Sequence, residues 1–578
     1  MHDPMRDGRL THSQDRGTTD VPLIEDTIGA LFDATVAAHP HREALVSVHQ
    51  GRRATYQQLQ AQVDQLASAL LRQGLHKGDR VGIWSHNNAE WLLVQLATAK
   101  LGIILVNLNP AYRVAEVEYA LNKVGCKAIV AMPRFKSSDY LGMLHELAPE
   151  LPRCAPGELA SLRLPHLKLV VWIDVAGQGD SQREDWPGTL RFSELMARGQ
   201  ADDARVAEVA ATLKATEPIN IQFTSGTTGF PKGATLTHRN ILNNGFFVGE
   251  AMKLTPEDRL CVPVPLYHCF GMVMGNLACI THGATIVYPN DGFDPLAVLQ
   301  TVQAERCTAL HGVPTMFIAQ LDHPRFAEFD LSTLRTGIMA GSPCPIEVMK
   351  RVVNLMHMDQ VTIAYGMTET SPVSCQSSTD TPLDKRVGSV GRVQPHLEVK
   401  MVSPDTGAVT PIGVPGELCT RGYSVMHGYW DDEAKTAEAI DPEGWMHTGD
   451  LATMDAEGYV NIVGRIKDMV IRGGENLYPR EIEEYLYRHP KVQDVQVVGI
   501  PDPRYGEELC AWIIPKPGQT LGEEDIRLFC QGQIAHHKVP RYIRFVEAFP
   551  MTVTGKIQKF KIREAMKAEL GLQEDKTA

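Results

Sequence analysis

The sequence has no pair of cysteines at Cys-x-x-Cys spacing. Its 11 cysteines are odd in number and scattered from Cys126 to Cys530, which argues against both a disulfide framework and a zinc site and leaves them as small core residues. An unbroken apolar run is missing too. The most apolar stretch, Trp91 to Leu108, is interrupted by Gln95, Lys100 and Gly102, so no transmembrane helix is expected. Residues 1 to 20 are polar and mixed in charge, without the apolar centre of a secretory signal; they read as a flexible leader, and the cytoplasm is the expected compartment. Excess positive charge is absent as well. A net charge of −13 disfavours nucleic acid as a general partner, since phosphate backbones are gripped by surplus Lys and Arg. Any anionic substrate must therefore meet local positive charge, and from His536 onward Lys538, Arg541, Arg544, Lys556, Lys559, Lys561 and Arg563 form a basic island.

What is present is an ordinary globular composition, 43% hydrophobic and 22% charged, in a chain too long for one core. Thr55 and Gln58 form a capping box ahead of Tyr56, Leu59, Val63, Leu66 and Leu70, whose spacing predicts an amphipathic helix ending near Gly74. A short strand follows at Arg80 to Trp84, and strand–helix alternation continues through residues 101 to 131, the pattern of crossover units on a parallel sheet. Residues 176 to 190 read as a surface excursion. Val361, Ile363 and Tyr365 alternate as a strand that places Glu369 just past its carboxyl end, where open α/β sheets hold ligands. From about 390 to 464, short glycine-punctuated strands predict a small β subdomain. After Lys467 the pattern resets: a Pro479-led helix, strands at 492 to 500 and 511 to 515, a helix at 523 to 533 and a strand at 541 to 547. The expected class is α/β multidomain: a flexible leader (1–20), a large N-terminal domain of α/β sheets with a β subdomain (21–466), and a small α+β C-terminal domain (467–578) whose boundary falls near Lys467.

Residues 221 to 233 run from an alternating strand into Thr-Ser-Gly-Thr-Thr-Gly-Phe-Pro-Lys-Gly. Gly226 and Gly229 can turn backbone N–H groups toward an anion, Thr224, Ser225, Thr227 and Thr228 add hydroxyls, and Lys232 adds a cation, so the loop suits a triphosphate. Lys232 is followed by Gly233, which excludes the Walker register of P-loop NTPases. The segment closely resembles the signature of adenylate-forming enzymes: acyl- and aryl-CoA synthetases, luciferase and nonribosomal peptide adenylation domains.

That resemblance extends to further motifs. Pro-x-x-x-x-Gly-Lys-Ile-x-Lys at 550 to 559 is similar to the family's C-terminal catalytic signature, which implies that Lys556 bridges the acid's carboxylate and the α-phosphate of ATP, neutralising charge that develops there. Tyr365-Gly366-Met-Thr368-Glu369-Thr resembles the magnesium-binding segment, implying Glu369 as a Mg²⁺ ligand with the Thr224 hydroxyl as a second contact. Asp450 in Trp445-Met-His-Thr-Gly-Asp450 resembles the ribose clamp, assisted by Arg465, and Gly341-Ser342-Pro343 resembles the adenine-stacking loop. Gly473 and Gly474 match the face that lines the pantetheine path of coenzyme A, and Lys467 occupies the hinge, where many relatives have Asp. His268 matches a position near the acyl pocket that orients the carboxylate or gates access, or is a hydrogen-bonded core residue. The Met-rich run Phe270 to Ile280 suits either an alkyl-chain wall or plain helix core.

A carboxylate resists nucleophilic attack, so an acid joined to a thiol must first be activated. Attack of its oxygen on the α-phosphorus of ATP expels pyrophosphate and leaves an acyl-adenylate whose AMP departs easily; the thiol of coenzyme A then forms the thioester. The demand on the protein is positioning and electrostatics. The resemblance, including Asn109-Pro-Ala-Tyr-Arg113, implies a Mg²⁺-dependent fatty acyl-CoA synthetase of medium-chain preference that takes ATP and coenzyme A as co-substrates. An aryl-CoA ligase and a carrier-loading adenylating enzyme are the alternatives; the absence of a recognisable carrier segment after Lys556 favours free coenzyme A.

Overall fold

The computed structural model describes residues 9–135, 137–174, 186–224, 231–342, 344–472, 475–552 and 557–572. The strand–helix alternation builds two large sheets. In one, strands Leu190–Arg191, Leu169–Trp172, Ala128–Ala131, Arg80–Trp84, Ile104–Asn107 and Pro218–Thr224 lie side by side and parallel, and Lys232–Thr237 and Gly428–Tyr429 extend it antiparallel. In the other, Gln360–Gly366, Thr336–Ala340, Ala309–Gly312, Arg259–Cys261, Thr285–Tyr288 and Glu43–Ser47 are parallel, with antiparallel strands at both edges.

Helices cover these sheets for reasons visible in their residues. Helix Tyr56–Arg72 starts with the expected capping box, Gln58 N donating to Thr55 Oγ1 at 3.2 Å and Thr55 N to Gln58 Oε1 at 2.9 Å, and it buries Tyr56, Leu59, Val63, Leu66 and Leu70. Helix Ala89–Leu101 is buried at every residue and ends at Gly102, whose φ of 62° suits a residue without a Cβ. Its Lys100 would be costly there, but the ammonium donates to Asp33 at 2.6 Å and Asp64 at 2.5 Å. This buried helix and the strand Ile104–Asn107 account for the apolar stretch. Among the described residues no helix is long and apolar enough to cross a membrane. All 11 cysteines are free, and all but Cys154 are buried.

A third, antiparallel sheet runs Gln14–Arg16, Leu397–Val402, Gly416–Gly422, Met446–Met454, Val460–Arg465. The first of these corrects the flexible leader: Gln14–Arg16 is a paired edge strand, and residues 1–8 lie outside the described residues. Beyond it, strands Val470–Arg472, Glu475–Leu477, Val492–Asp502, Gly506–Pro515 and Tyr542–Phe545 form a separate sheet. Ile482, Leu486, Val495, Val497, Leu509, Ile513, Ile526 and Ile543 give it a core of its own. The helix expected over 523 to 533 stops at Cys530, because Gln531 turns extended and Gly532 takes a φ of 70°. The segment expected as a surface excursion falls mostly within 175–185, outside the described residues.

Candidate active site

Three sheets meet at one place. Strand Pro218–Thr224 pairs antiparallel with Lys232–Thr237 so that Thr224 stands opposite Lys232; the intervening loop, with Ser225, Gly226, Thr227, Thr228 and Gly229, lies outside the described residues. The carboxyl end of Gln360–Gly366 arrives from the second sheet. Gly366 sits there because a Cβ would fall 1.7 Å from the Pro372 carbonyl, and the chain turns through Thr368–Thr370 to bury Glu369. The Glu369 carbonyl accepts from Met426 N at 2.9 Å, which fixes the turn.

The Glu369 carboxylate is brought to the hairpin of Pro218–Thr224 and Lys232–Thr237. Thr224 Oγ1 donates to Glu369 Oε1 at 3.1 Å. A residue the motifs did not identify completes the cluster: Tyr429 donates its hydroxyl to the same Oε1 at 2.8 Å and accepts from Lys232 Nζ at 3.0 Å, with that ammonium 4.1 Å from its ring centroid. Strand Gly428–Tyr429 places it by pairing Tyr429 with Ala234. Burial and then the Glu369 charge hold the phenol pKa well above its ordinary range, so Tyr429 remains a donor. No local motif marks it, because its partners are distant in sequence.

The third sheet supplies Asp450, paired directly with Arg465. Asp450 Oδ2 accepts from the Tyr365 hydroxyl at 2.7 Å and Oδ1 from Arg465 Nε at 3.0 Å. Burial, reinforced by Asp450, raises the Tyr365 phenol, and Asp450 raises the Arg465 guanidinium, so both stay protonated donors. Gly449, at φ 72°, turns the strand into this position and donates its N–H to Glu417 Oε1 at 3.0 Å. Tyr365 thus joins the end of one sheet to Asp450 while Glu369, four residues on, joins it to the hairpin at Thr224. Thr368 is buried in the same turn, and Gly341, at φ 91°, follows strand Thr336–Ala340 with Ser342 beside it.

His268 is half-buried, its Nδ1 accepting from Phe270 N at 3.2 Å. The Met-rich run from Phe270 is a π-helix, Phe270–Leu277, all buried, in which Ala278 N reaches back to Val273 O. Such widened turns recur at functional sites. Cys269 is buried and its thiol contacts Gln222 Oε1 at 3.3 Å.

Five cations of the basic island have acidic partners within their own unit. Lys538 pairs with Glu481, Arg541 with Asp502, Arg544 with Glu569, Lys559 with Glu483 and Arg563 approaches Glu507, so these cations are largely neutralised within their own unit. Lys556, Gly473 and Gly474 lie outside the described residues, while Lys467 is in the short helical turn Ile466–Asp468 that links the third sheet to the last one.

Residues 32–430 match the AMP-binding enzyme family and residues 481–556 its C-terminal domain. A putative acyl-CoA synthetase of Bacillus subtilis, YngI, is 50% identical over 94% of this chain and 97% of its own. The mitochondrial medium-chain acyl-CoA ligase ACSF2 of Homo sapiens is 46% identical over 98% and 91%. Among solved structures, the anthranilate CoA ligase AuaEII in complex with anthranoyl-AMP superposes with a TM-score of 0.82 at 26% identity, covering 96% of this chain and 99% of that one. ATP-bound MatB from Rhodopseudomonas palustris gives 0.76 at 28% identity, over 93% and 99%. With both domains matched and relatives near half identity along almost the whole length, the chain belongs to the AMP-binding enzyme family and is an AMP-forming acid–thiol ligase.

Proposed function

We propose that the protein adenylates a medium-chain fatty acid and transfers the acyl group to free coenzyme A. The observation that carries this reading is the pairing of two clusters at one sheet junction: Thr224, Glu369, Tyr429 and Lys232 on the phosphate side, and Tyr365, Asp450 and Arg465 on the ribose side. The chain-length preference is supported by the 46% identity to medium-chain ligases, and free coenzyme A as acceptor by the near-complete coverage of relatives that carry that activity in their names. Eleven free thiols suit a reducing compartment such as the cytoplasm.

In this reading Asp450 accepts hydrogen bonds from the ribose hydroxyls, Gly341 and Ser342 flank the adenine, and the loop of Ser225 to Gly229 with Lys232 cradles the β- and γ-phosphates. Glu369 and Thr224 offer a carboxylate and a hydroxyl, an all-oxygen set that fits Mg²⁺. When bound, the ion neutralises charge on the departing pyrophosphate. The fatty acid's carboxylate, oriented by His268, attacks the α-phosphorus; its developing charge is met by Lys556, delivered by the C-terminal unit. That unit then swings about Lys467, withdrawing Lys556 and presenting Gly473 and Gly474 to the pantetheine arm, whose thiol attacks the acyl carbon and releases AMP. The acyl chain lies along the π-helix Phe270–Leu277, whose methionines adapt to a flexible alkyl group.

An aryl-CoA ligase is the second reading, favoured by the structural likeness to an enzyme holding anthranoyl-AMP. ATP–pyrophosphate exchange with octanoate, palmitate, benzoate and coumarate separates the two, because only an acid that is adenylated stimulates exchange. Octanoate is expected to give the highest kcat/KM; strong exchange with benzoate or coumarate and none with octanoate would replace the first reading by the second.

A further inference from the structure

Strand pairing places a second set of potential ligands behind the ribose clamp. Glu417 and Cys419 lie two apart on strand Gly416–Gly422, and Cys419 pairs directly with His447 on Met446–Met454. A cysteine, a histidine and a carboxylate thus converge from two neighbouring strands, with no two cysteines close in sequence. Their ligand atoms all lie within 4.8 Å of one another. His447 Nδ1 is 2.9 Å from Glu417 Oε2 and 3.5 Å from Cys419 Sγ.

We propose that Glu417, Cys419 and His447 form a binding site for a thiophilic divalent cation of the Zn²⁺ type, distinct from the magnesium position at Glu369. The spacing agrees with the coordination such an ion demands. Tetrahedral bonds of about 2.3 Å to sulfur and about 2.0 Å to nitrogen and oxygen set N and S roughly 3.5 Å apart and N and O roughly 3.3 Å apart. The N–S separation already has that value, and the N–O pair needs to open by only a few tenths of an ångström. Sulfur and imidazole select zinc over magnesium, which prefers an all-oxygen octahedron.

The surroundings complete the pattern. His447 is 36% exposed, so an ion can reach the site and water can fill the fourth position, whereas Cys419 is buried beneath it. Asp441 Oδ2 lies 3.8 Å from His447 Nε2, on the far side of the ring. With the metal on Nδ1 the imidazole proton resides on Nε2 and faces that carboxylate, the usual outer partner of a metal-bound histidine. Glu417 Oε1 meanwhile keeps its bond to Gly449 N, which ties the site to the backbone next to Asp450.

Titration of the full-length protein with Co²⁺, in excess Mg²⁺, tests this. One equivalent is expected to produce a thiolate-to-cobalt charge-transfer band that Zn²⁺ abolishes. Cys419→Ser should lose the band, His447→Gln should lose the site, and Asp441→Asn should weaken it by about ten- to a hundredfold. The partly exposed His447 provides a variant independent of core packing should Cys419→Ser fold poorly. Absence of the band in the wild type, or a band of equal strength in Cys419→Ser or His447→Gln, overturns the proposal.

Discussion

Replacing Tyr429 by Phe removes one oxygen and leaves the ring. In the structure that oxygen links an ammonium to a carboxylate: Lys232 Nζ donates to it at 3.0 Å and it donates to Glu369 Oε1 at 2.8 Å. The ring, 4.1 Å from the ammonium, keeps its cation–π contact in the Phe variant. What is lost is a hydrogen bond to a buried carboxylate, worth about 1.5–3 kcal/mol. Without the hydroxyl, Lys232 can close directly on Glu369, and the resulting ion pair would occupy both the proposed phosphate cation and the proposed magnesium ligand. MgATP would have to break it. At about 2 kcal/mol, kcat/KM for ATP should fall roughly 30-fold, chiefly through KM, and the Mg²⁺ concentration for half-maximal rate should rise. Octanoate-dependent ATP–pyrophosphate exchange, measured against ATP and Mg²⁺ in turn, reads both. A kcat/KM within about twofold of wild type and an unchanged Mg²⁺ requirement would refute the idea that Tyr429 keeps the two charges apart.

Tyr429 also marks how far the sequence could be read. The parallel-sheet class, the capped helix at Tyr56 and the strand leading to Glu369 were legible because each is a local pattern whose period or cap sits within a dozen residues. The pairing of Glu369 with Thr224 and of Asp450 with Arg465 was legible only as motif resemblance; the physical join is made by strand order, which no window of residues contains. Tyr429 had neither aid. Its segment is a two-residue strand, and the partners that give it meaning, Lys232 on the adjacent strand and Glu369 in the turn after Gln360–Gly366, lie 197 and 60 residues away in sequence. The basic island shows the complementary limit. Its lysines and arginines cluster in sequence, but the acids that neutralise them, Glu481, Glu483, Asp502 and Glu569, come from surrounding elements. Likewise the polar start of the chain looked unstructured, yet Gln14–Arg16 needs only backbone groups to add to the edge of a sheet built around residue 400. Composition predicts burial, whereas strand addition depends on a neighbour.

Lys556→Ala should abolish adenylation yet spare thioester formation from supplied octanoyl-adenylate, since the cation serves only the first half-reaction; equal loss of both halves in a rapid-quench comparison would contradict this. Cys269→Ser should retain substantial turnover, because the attacking thiol belongs to coenzyme A, and trapping of an acylated Cys269 by mass spectrometry would contradict that. Asp450→Asn should raise KM for ATP by about tenfold or more through loss of a charged acceptor, with little change in KM for the fatty acid; an effect confined to the acid would remove Asp450 from the nucleotide. Finally, acid should destabilise the large domain through its buried imidazoles. His311 is fully buried, donates Nε2–H to Met274 O at 2.9 Å, and is pushed down to about 4 by burial; His238 is lowered to about 4 in the same way. A histidine whose pKa is depressed on folding contributes stability above its unfolded pKa of about 6.5 and loses it as pH falls toward 4. Because the unfolded chain takes up the proton first, the melting temperature of the wild type should drop steeply across that window. The drop should be smaller for His311→Gln, whose amide can still donate to Met274 but carries no titrating charge; parallel pH profiles for the two proteins would show that burial of this imidazole does not couple folding to pH.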